Sequence, residues 1–136
     1  MTDLLLDTSV AVALLLVSHS AHETVNERVR DRSVALAGHA LHETYAVLTR
    51  LPGDARLSAG DAARLLLERF EPAAMLDAEA MSSAPSELAR HEIVGGATYD
   101  GLVALAAKTA DTPLATRDRR AEATYRRLGI DVELMT

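Results

Sequence analysis

The chain has 136 residues, 49% of them hydrophobic, and a formal net charge of −6, so we expect one globular domain, residues 1–136, with its own core. It contains no cysteine, which excludes disulfides and thiolate metal sites. Its longest apolar stretch, residues 4–17, is interrupted by Asp7, Thr8 and Ser9 and is too short and too polar for a membrane span. We therefore expect a soluble protein of the cytoplasm.

The first half of the chain alternates short apolar runs with helical patterns. We predict a strand at residues 4–6, followed by a helix to about residue 17. Ser20 has capping-box spacing to Glu23, which predicts a helix to about residue 31. A strand at 33–37 and a helix at 39–51 follow, the helix with Leu41, Tyr45 and Leu48 on one stripe. The Pro52-Gly53-Asp54 segment ends this last helix.

The second half continues the alternation. We predict a helix that a capping box at Ser58 and Asp61 opens and Pro72 stops, followed by a weak strand at 73–76. Asp77 is then expected to cap a helix that Pro85 interrupts or restarts and that Gly95 and Gly96 end. The chain continues with a helix at 99–110, a strand at 114–116, a helix at 119–128 and a strand at 130–134. Strands that alternate with helices predict an α/β fold, a parallel sheet with helices on both faces.

Three acidic residues stand where strands end or helices begin. Asp7 follows the first strand, Asp118 follows the strand at 114–116, and Asp100 opens a helix that Thr98 is placed to cap. Because ligands of parallel sheets bind outside the carboxyl ends of the strands, these side chains are expected to converge. Each of the three is also well placed to be a helix N-cap or to favour the helix dipole, so both roles stay open.

Glu43 is the fourth candidate, and it lies inside a predicted helix, where capping does not explain it. A glutamate there is more often a solvated side chain than a functional one, so its case depends on the other three. Unpaired carboxylates held together raise one another's pKa unless a cation joins them. Hard divalent ions such as Mg²⁺ favour such all-oxygen sites, and the set therefore indicates metal-assisted chemistry.

Basic residues are concentrated near the end of the chain despite the acidic total. Of 14 basic residues, 13 are arginines, and five of these fall between residues 117 and 127. Arginine suits phosphate recognition because its planar guanidinium can bind two oxygens at once. Arg117 and Arg119 flank Asp118, and cations are unfavourable at a helix N-terminus, so we favour a phosphate-binding role for these two.

At this point the sequence resembles a known family, the PIN domains, and within it the VapC toxin branch of type II toxin–antitoxin systems. The matching segments are residues 5–10 (LLDTSV), 42–48 (HETYAVL), 95–104 (GGATYDGLVA) and 114–120 (LATRDRR). No single motif is specific, but their order and spacing match across essentially the whole chain. Many PIN domains carry a further acid where this chain has Arg120, which leaves open whether one or two metal ions are bound.

The resemblance implies a PIN-like three-layer α/β/α fold with a five-stranded parallel sheet. It also implies an endoribonuclease that depends on Mg²⁺ or Mn²⁺, a homodimer, and a cognate VapB-like antitoxin that blocks the site. By the same resemblance Asp7 and Asp100 are direct metal ligands, Asp118 is a direct or water-mediated ligand, and Glu43 completes the metal shell or orients water. Thr8, Ser9 and Thr116 are candidates to position these carboxylates, although capping explains Ser9 equally well.

Three other functions share parts of this pattern, and two of them lack a residue that they require. An aspartyl phosphatase needs a second Asp two residues after the first, where this chain has Ser9, and a phosphotransfer receiver needs a late Lys, whereas Lys108 lies inside a helix. The remaining alternative is a non-catalytic PIN-like module that binds RNA or protein. Metal-dependent cleavage by the isolated protein separates an enzyme from such a module.

Overall fold

A computed structural model describes all residues, 1–136. The helices and strands are β1 Leu4–Leu6, α1 Thr8–Leu15, α2 His22–Val29, β2 Val34–Ala37, α3 Ala40–Thr49, a 3₁₀ turn Gly53–Ala55, α4 Ala59–Arg69, β3 Glu71–Ala74, α5 Ala78–Arg90, α6 Ala97–Ala110, β4 Leu114–Thr116, α7 Arg119–Arg127 and β5 Val132–Leu134. No helix is long and apolar enough to cross a membrane.

All five strands form one parallel sheet in the order β3-β2-β1-β4-β5, which confirms the predicted fold class. The chain builds outward from β1 through β2 to β3, then crosses back to place β4 on the other side of β1. The β1/β4 pair, with Leu5 opposite Leu114, is therefore the point where the strand order reverses. Clefts at the carboxyl ends of such strands are the usual ligand sites of open parallel sheets.

The two faces of the sheet carry separate cores. Leu5 points into a cluster with side chains of α5, α6 and α7, whereas Leu4 and Leu6 point into a cluster with side chains of α1 to α4. Successive strand residues face opposite sides, so a strand buried on both faces needs an unbroken apolar run, which is why Leu4–Leu6 has no polar member. Tyr125 of α7 belongs to the first cluster and is fully buried.

Two capping predictions are confirmed and two are wrong. The Ser58 side chain accepts from Asp61 N–H and Asp77 accepts from Ala80 N–H, so both cap their helices as predicted. Helix α2 begins only at His22, with Ala21 at the cap and no side-chain cap bond. The N-cap of α6 is Gly96, without a cap bond from Thr98 or any other side chain.

The predicted ends of two other elements are also corrected. Strand β3 is Glu71–Ala74 and contains Pro72, which was expected to precede a strand at 73–76. Proline is tolerated there because β3 is an edge strand and need not donate on its outer side. Helix α5 runs through Pro85 without interruption and ends at Arg90, before the Gly95-Gly96 pair.

The buried stripe of α3 differs from the predicted one. Its buried residues are Ala40, Thr44 and Leu48, whereas Leu41 is half-buried and Tyr45 is 38% exposed. The two stripes share Leu48 and are neighbours on the helix surface. Small side chains in the true stripe let α3 approach α1 closely, and this displaces the larger Leu41 and Tyr45 to the rim of a surface groove.

Candidate metal and nuclease site

Asp7 occupies the centre of the predicted site and is only 5% exposed. Its backbone N–H donates to the Ala115 carbonyl of β4 at 3.1 Å. Its Oδ1 accepts from Ser9 Oγ at 2.6 Å and from Val10 N–H at 3.3 Å, and it is the N-cap of α1. Asp7 can therefore cap α1 and also act as a functional carboxylate, because the cap bond uses only one of its two oxygens.

The second oxygen of Asp7 is held by a residue that sequence reasoning missed. Tyr125 Oη donates to Asp7 Oδ2 at 2.9 Å, across 118 residues of sequence, and both groups are buried. Burial raises the pKa of Asp7, while the hydrogen bonds from Ser9 and Tyr125 oppose that rise. Burial and the adjacent Asp7 charge in turn raise the pKa of the Tyr125 hydroxyl, so it stays a donor. The only sign of this role in the sequence is that Tyr125 lies on the buried face of α7, which helical periodicity can identify.

Ser9 joins the ends of the two central strands. Besides donating to Asp7, its Oγ accepts from Arg117 N–H at 2.8 Å and lies 3.4 Å from Thr116 Oγ1. Thr116 Oγ1 in turn accepts from Asp118 N–H at 3.1 Å. These contacts support the prediction that hydroxyl groups position the carboxylates. For Ser9, helix capping was an equally good explanation from the sequence, but its hydroxyl also contacts Asp7 and the end of β4.

Asp118 and Asp100 differ from Asp7 in having free carboxylate oxygens. Asp118 is exposed and caps α7 by accepting from Arg120 N–H through Oδ1 at 2.8 Å, while its Oδ2 makes no hydrogen bond within the protein. Asp100 is half-buried in the first turn of α6 and accepts no hydrogen bond from another side chain. Both can therefore offer oxygen atoms to a ligand.

Glu43 is exposed on α3, and its Oε2 lies 3.3 Å from the Thr8 hydroxyl. The same hydroxyl lies 3.3 Å from both the Ala40 carbonyl and Thr44 Oγ1, so Thr8 connects the start of α1 to α3. The predicted role of Thr8 beside a carboxylate is thus matched by its position. Glu43 and Asp118 are the exposed acids of the four, whereas Asp100 is half-buried and Asp7 is buried.

The electrostatics of Asp100 indicate that the four acids share one space. Its pKa is raised to about 6, first by burial and then by the charges of Asp7, Asp118 and Glu43. However, no three histidine, aspartate or glutamate side chains lie close enough together to hold one ion directly. The donors fit a hard divalent ion in chemistry, since all are carboxylate oxygens, and Mg²⁺ commonly uses only one or two carboxylates with water completing its shell.

The two predicted phosphate-binding arginines lie differently. Arg119 is exposed in the first turn of α7. Arg117 is half-buried, and its Nε is buried without a hydrogen-bond partner. A buried donor without a partner is costly, so the Arg117 side chain is not simply solvated, as a surface arginine would be.

The parallel sheet, its reversal at β1/β4 and the acidic pocket at that point define the class of protein. Residues 4–127 match the family model described as the PIN domain, and the chain belongs to the PIN-domain family.

Its relatives narrow the assignment to one branch. The chain is 53% identical over 129 residues to the protein named Ribonuclease VapC27 of Mycobacterium tuberculosis, covering 95% of this chain and 94% of that one. It lies in the VapC branch of the family, as the motifs predicted.

Solved structures agree on the fold. The crystal structure of VapC20 of Mycobacterium tuberculosis, described as a sarcin–ricin loop cleaving toxin, has a TM-score of 0.70 at 22% identity, covering 89% of this chain and 94% of that chain. VapBC2 from Rickettsia felis, bound to a DNA fragment from its promoter, has a TM-score of 0.68 at 16% identity, covering 99% and 100%.

Replacing Asp100 with Asn is expected to change how stability depends on pH. A folded-state pKa of about 6 means that the folded protein keeps this proton to higher pH than the unfolded chain. The contribution of Asp100 to the free energy of unfolding therefore falls as pH rises from about 4 to about 6, and Asn removes that fall. Urea denaturation in EDTA should show Asp100→Asn gaining stability over wild type across this range and no further above it.

The matched control is Asp54→Asn, at an exposed carboxyl that forms no ion pair. The gain in stability of Asp100→Asn across this pH range should exceed any change seen in this control. A difference from wild type that stays constant with pH for Asp100→Asn would contradict the raised pKa of Asp100.

Replacing Tyr125 with Phe is expected to loosen Asp7. Loss of a hydrogen bond to a buried carboxylate should cost ~1.5–3 kcal/mol of stability. We also expect weaker binding of Mn²⁺ by calorimetry, because Asp7 loses its fixed orientation. Tyr45→Phe, whose hydroxyl makes no hydrogen bond within the protein, is the control, and equal losses in both variants would rule out the proposed role of the Tyr125 hydroxyl.

Proposed function

We propose that this chain, acting as one unit over residues 1–136 in the cytoplasm, is a metal-dependent endoribonuclease toxin neutralised by a cognate VapB-like antitoxin. The observation that carries the proposal is geometric. Ser9 and Thr116 connect Asp7 to Asp118 at the carboxyl ends of β1 and β4. Glu43 and Asp100 line one cleft, and the raised pKa of Asp100 agrees with this arrangement. The 53% identity to a protein named as a ribonuclease supports the same activity.

Asp7, Asp100, Asp118 and Glu43 are the residues that would hold Mg²⁺ or Mn²⁺, at most two of them directly and the others through water, since no three lie close enough to bind one ion directly. Such an ion would lower the pKa of an attacking water and neutralise charge that develops on the phosphoryl group. The chain's own contribution begins with Asp7, whose carboxylate is fixed on both oxygens by Ser9 and Tyr125. A fixed carboxylate does not have to reorganise when the substrate binds, which is the general advantage of a preorganised site.

The more exposed acids complete the site. Asp118 keeps Oδ2 free, and Glu43 is steadied at Oε2 by the Thr8 hydroxyl, where it can orient water or accept a proton. Arg119 and Arg117 beside Asp118 bind phosphates of the RNA backbone, and this offsets the repulsion between RNA and an acidic protein. Because water is the nucleophile, the products carry 5′-phosphate and 3′-hydroxyl ends.

Substituting Asn for Asp7, Asp100 or Asp118 is expected to lower metal-dependent RNA cleavage by about 100-fold or more, the scale of removing one electrostatic group from an active site. Each change keeps the side chain's shape and removes one charge. The measurement is cleavage of cellular RNA by purified, antitoxin-free protein in Mg²⁺ and in Mn²⁺, with 5′-end mapping of the products.

Asp54→Asn serves as the control and should cleave like wild type. Unchanged cleavage and Mn²⁺ affinity in the Asp7 and Asp100 variants would eliminate the carboxylates as the site. Wild-type protein that binds RNA but cuts none with either ion would favour the alternative, a non-catalytic binding module.

An apolar groove offers a place for the antitoxin. It has a volume of about 460 Å³ between α3, α4 and β3, and eight of its eleven lining residues are hydrophobic, among them Leu66, Leu67 and Phe70. Leu67 is 82% exposed. His42 lines both this groove and the cleft that contains Glu43 and Asp100, so the two surfaces adjoin at this residue.

A groove and a cleft that adjoin at His42 suit an extended inhibitor. An amphipathic segment of the antitoxin lies in the groove by its apolar face and delivers an Arg or Lys past His42 to the carboxylates, where it replaces the charge of the metal. The toxin itself forms a homodimer in this proposal, as the resemblance implies.

Co-expression with the product of the adjacent small open reading frame should give a tight complex without ribonuclease activity. Leu67→Glu should weaken that complex by about tenfold or more, because a charge would be buried against an apolar segment. Val17→Glu, at another exposed apolar residue, should bind normally. Calorimetric titration of antitoxin into each toxin variant measures this, and a fully active complex would contradict inhibition by insertion.

A further inference from the structure

A cleft of about 580 Å³ lies beside the acidic site and has an unusual lining. It is formed by His39, His42, Glu43, Gly96, Tyr99 and Asp100. Two of these are acids of the candidate active site, and three carry aromatic rings. The volume is within the ~300–1,000 Å³ range of ligand pockets.

Two of the rings are paired. The His39 and Tyr99 ring centroids are 5.3 Å apart with an interplanar angle of 34°, and His42 lies next to His39 at 6.4 Å and 57°. Such distances are those of offset aromatic contacts. The pair joins α3 to α6, because His39 is the residue before α3 and Tyr99 is in the first turn of α6.

Sequence neighbours tie these rings to the acids. Tyr99 directly precedes Asp100, and His39 is four residues before Glu43, a spacing that places both on one side of the helix. A group resting on the rings is therefore next to the two carboxylates that border the cleft.

The Tyr99 residue is 58% exposed, and its hydroxyl makes no hydrogen bond within the protein. One exposed aromatic side chain is unremarkable on its own. Here, however, the ring is paired with a second one and borders a cleft, and Gly95 and Gly96 before it leave open space around their Cα atoms. A flat group can therefore reach the ring from solvent.

We propose that His39 and Tyr99 form a stacking platform for an unpaired base of the RNA, adjacent to the scissile phosphate. Unpaired bases are recognised by stacking on aromatic side chains, whereas the faces of bases in a duplex are covered by their neighbours. The platform contacts an unpaired base beside the carboxylates, and it tolerates different bases because every base has a flat face. This inference rests on the proposed nuclease function and adds a base-contacting site to it.

Binding of a fluorescein-labelled 12-nucleotide single-stranded RNA of mixed sequence tests the platform, with EDTA present so that no cleavage occurs. Tyr99→Ala should weaken binding roughly 5- to 150-fold, the equivalent of losing one stacked base. Tyr99→Phe, which keeps the ring, should bind like wild type. His39→Ala should weaken binding in the same direction.

Three controls make the result specific. Val94→Ala removes another exposed apolar side chain close in sequence and should not change binding. An abasic strand of equal length should bind wild type and Tyr99→Ala equally, and the duplex form should bind both equally. Thermal unfolding of each variant verifies that the fold is intact.

Several outcomes would overturn the platform. They are no measurable single-strand binding by wild type, wild-type affinity in Tyr99→Ala, an equal loss in Tyr99→Phe, or an equal loss with the abasic strand. Unchanged RNA binding with weakened antitoxin binding or dimerisation would assign the rings to a protein partner. Wild type that cleaves RNA while Tyr99→Ala keeps normal KM and binding refutes only the platform, whereas ring-dependent binding without any cleavage refutes only the nuclease.

Discussion

The buried carboxylate of Asp7 is the constraint on which the site and much of the fold around it depend. A charge placed at the end of a fully buried strand is costly unless it is hydrogen-bonded. Here the bonds come from Ser9, Val10 and Tyr125, which belong to α1 and α7. Satisfying one carboxylate therefore fixes the position of a helix from each face of the sheet.

The acids around Asp7 show the opposite design. Asp100 is half-buried among three other carboxylates, and its pKa is raised to about 6 by burial and by their charges. Such repulsion opposes folding in the absence of a cation, and the metal ion that we propose for this pocket would relieve it. The hydroxyl groups of Ser9, Thr8 and Thr116 hold the surrounding backbone and side chains in place despite that repulsion.

The surfaces next to the acids divide into two kinds. On one side of His42 lies an apolar groove, and on the other lies a cleft with aromatic rings and carboxylates. The first suits a protein segment and the second suits a nucleotide. Because the two surfaces meet, an inhibitor that occupies the groove and enters the cleft would exclude RNA by occupancy as well as by charge.

The fold class, the five strands and the order of the acids are predictable from the sequence alone. Apolar runs of three or four residues followed by helical periodicity have few alternatives, and Asp7 and Asp118 follow such runs directly. Element ends were less predictable, because competing local patterns decide them. The capping-box spacing at Ser20 was not used, and Pro85 was accommodated inside α5.

Which side chains contact one another across the site depends on tertiary packing and cannot be read from the sequence. The bond from Tyr125 to Asp7 spans 118 residues, and the pairing of His39 with Tyr99 joins two helices far apart in sequence. Periodicity can place a residue on the buried face of a helix, but it cannot specify which atom of a distant strand lies opposite. That depends on the packing of both helical layers against one sheet, which is a property of the whole chain.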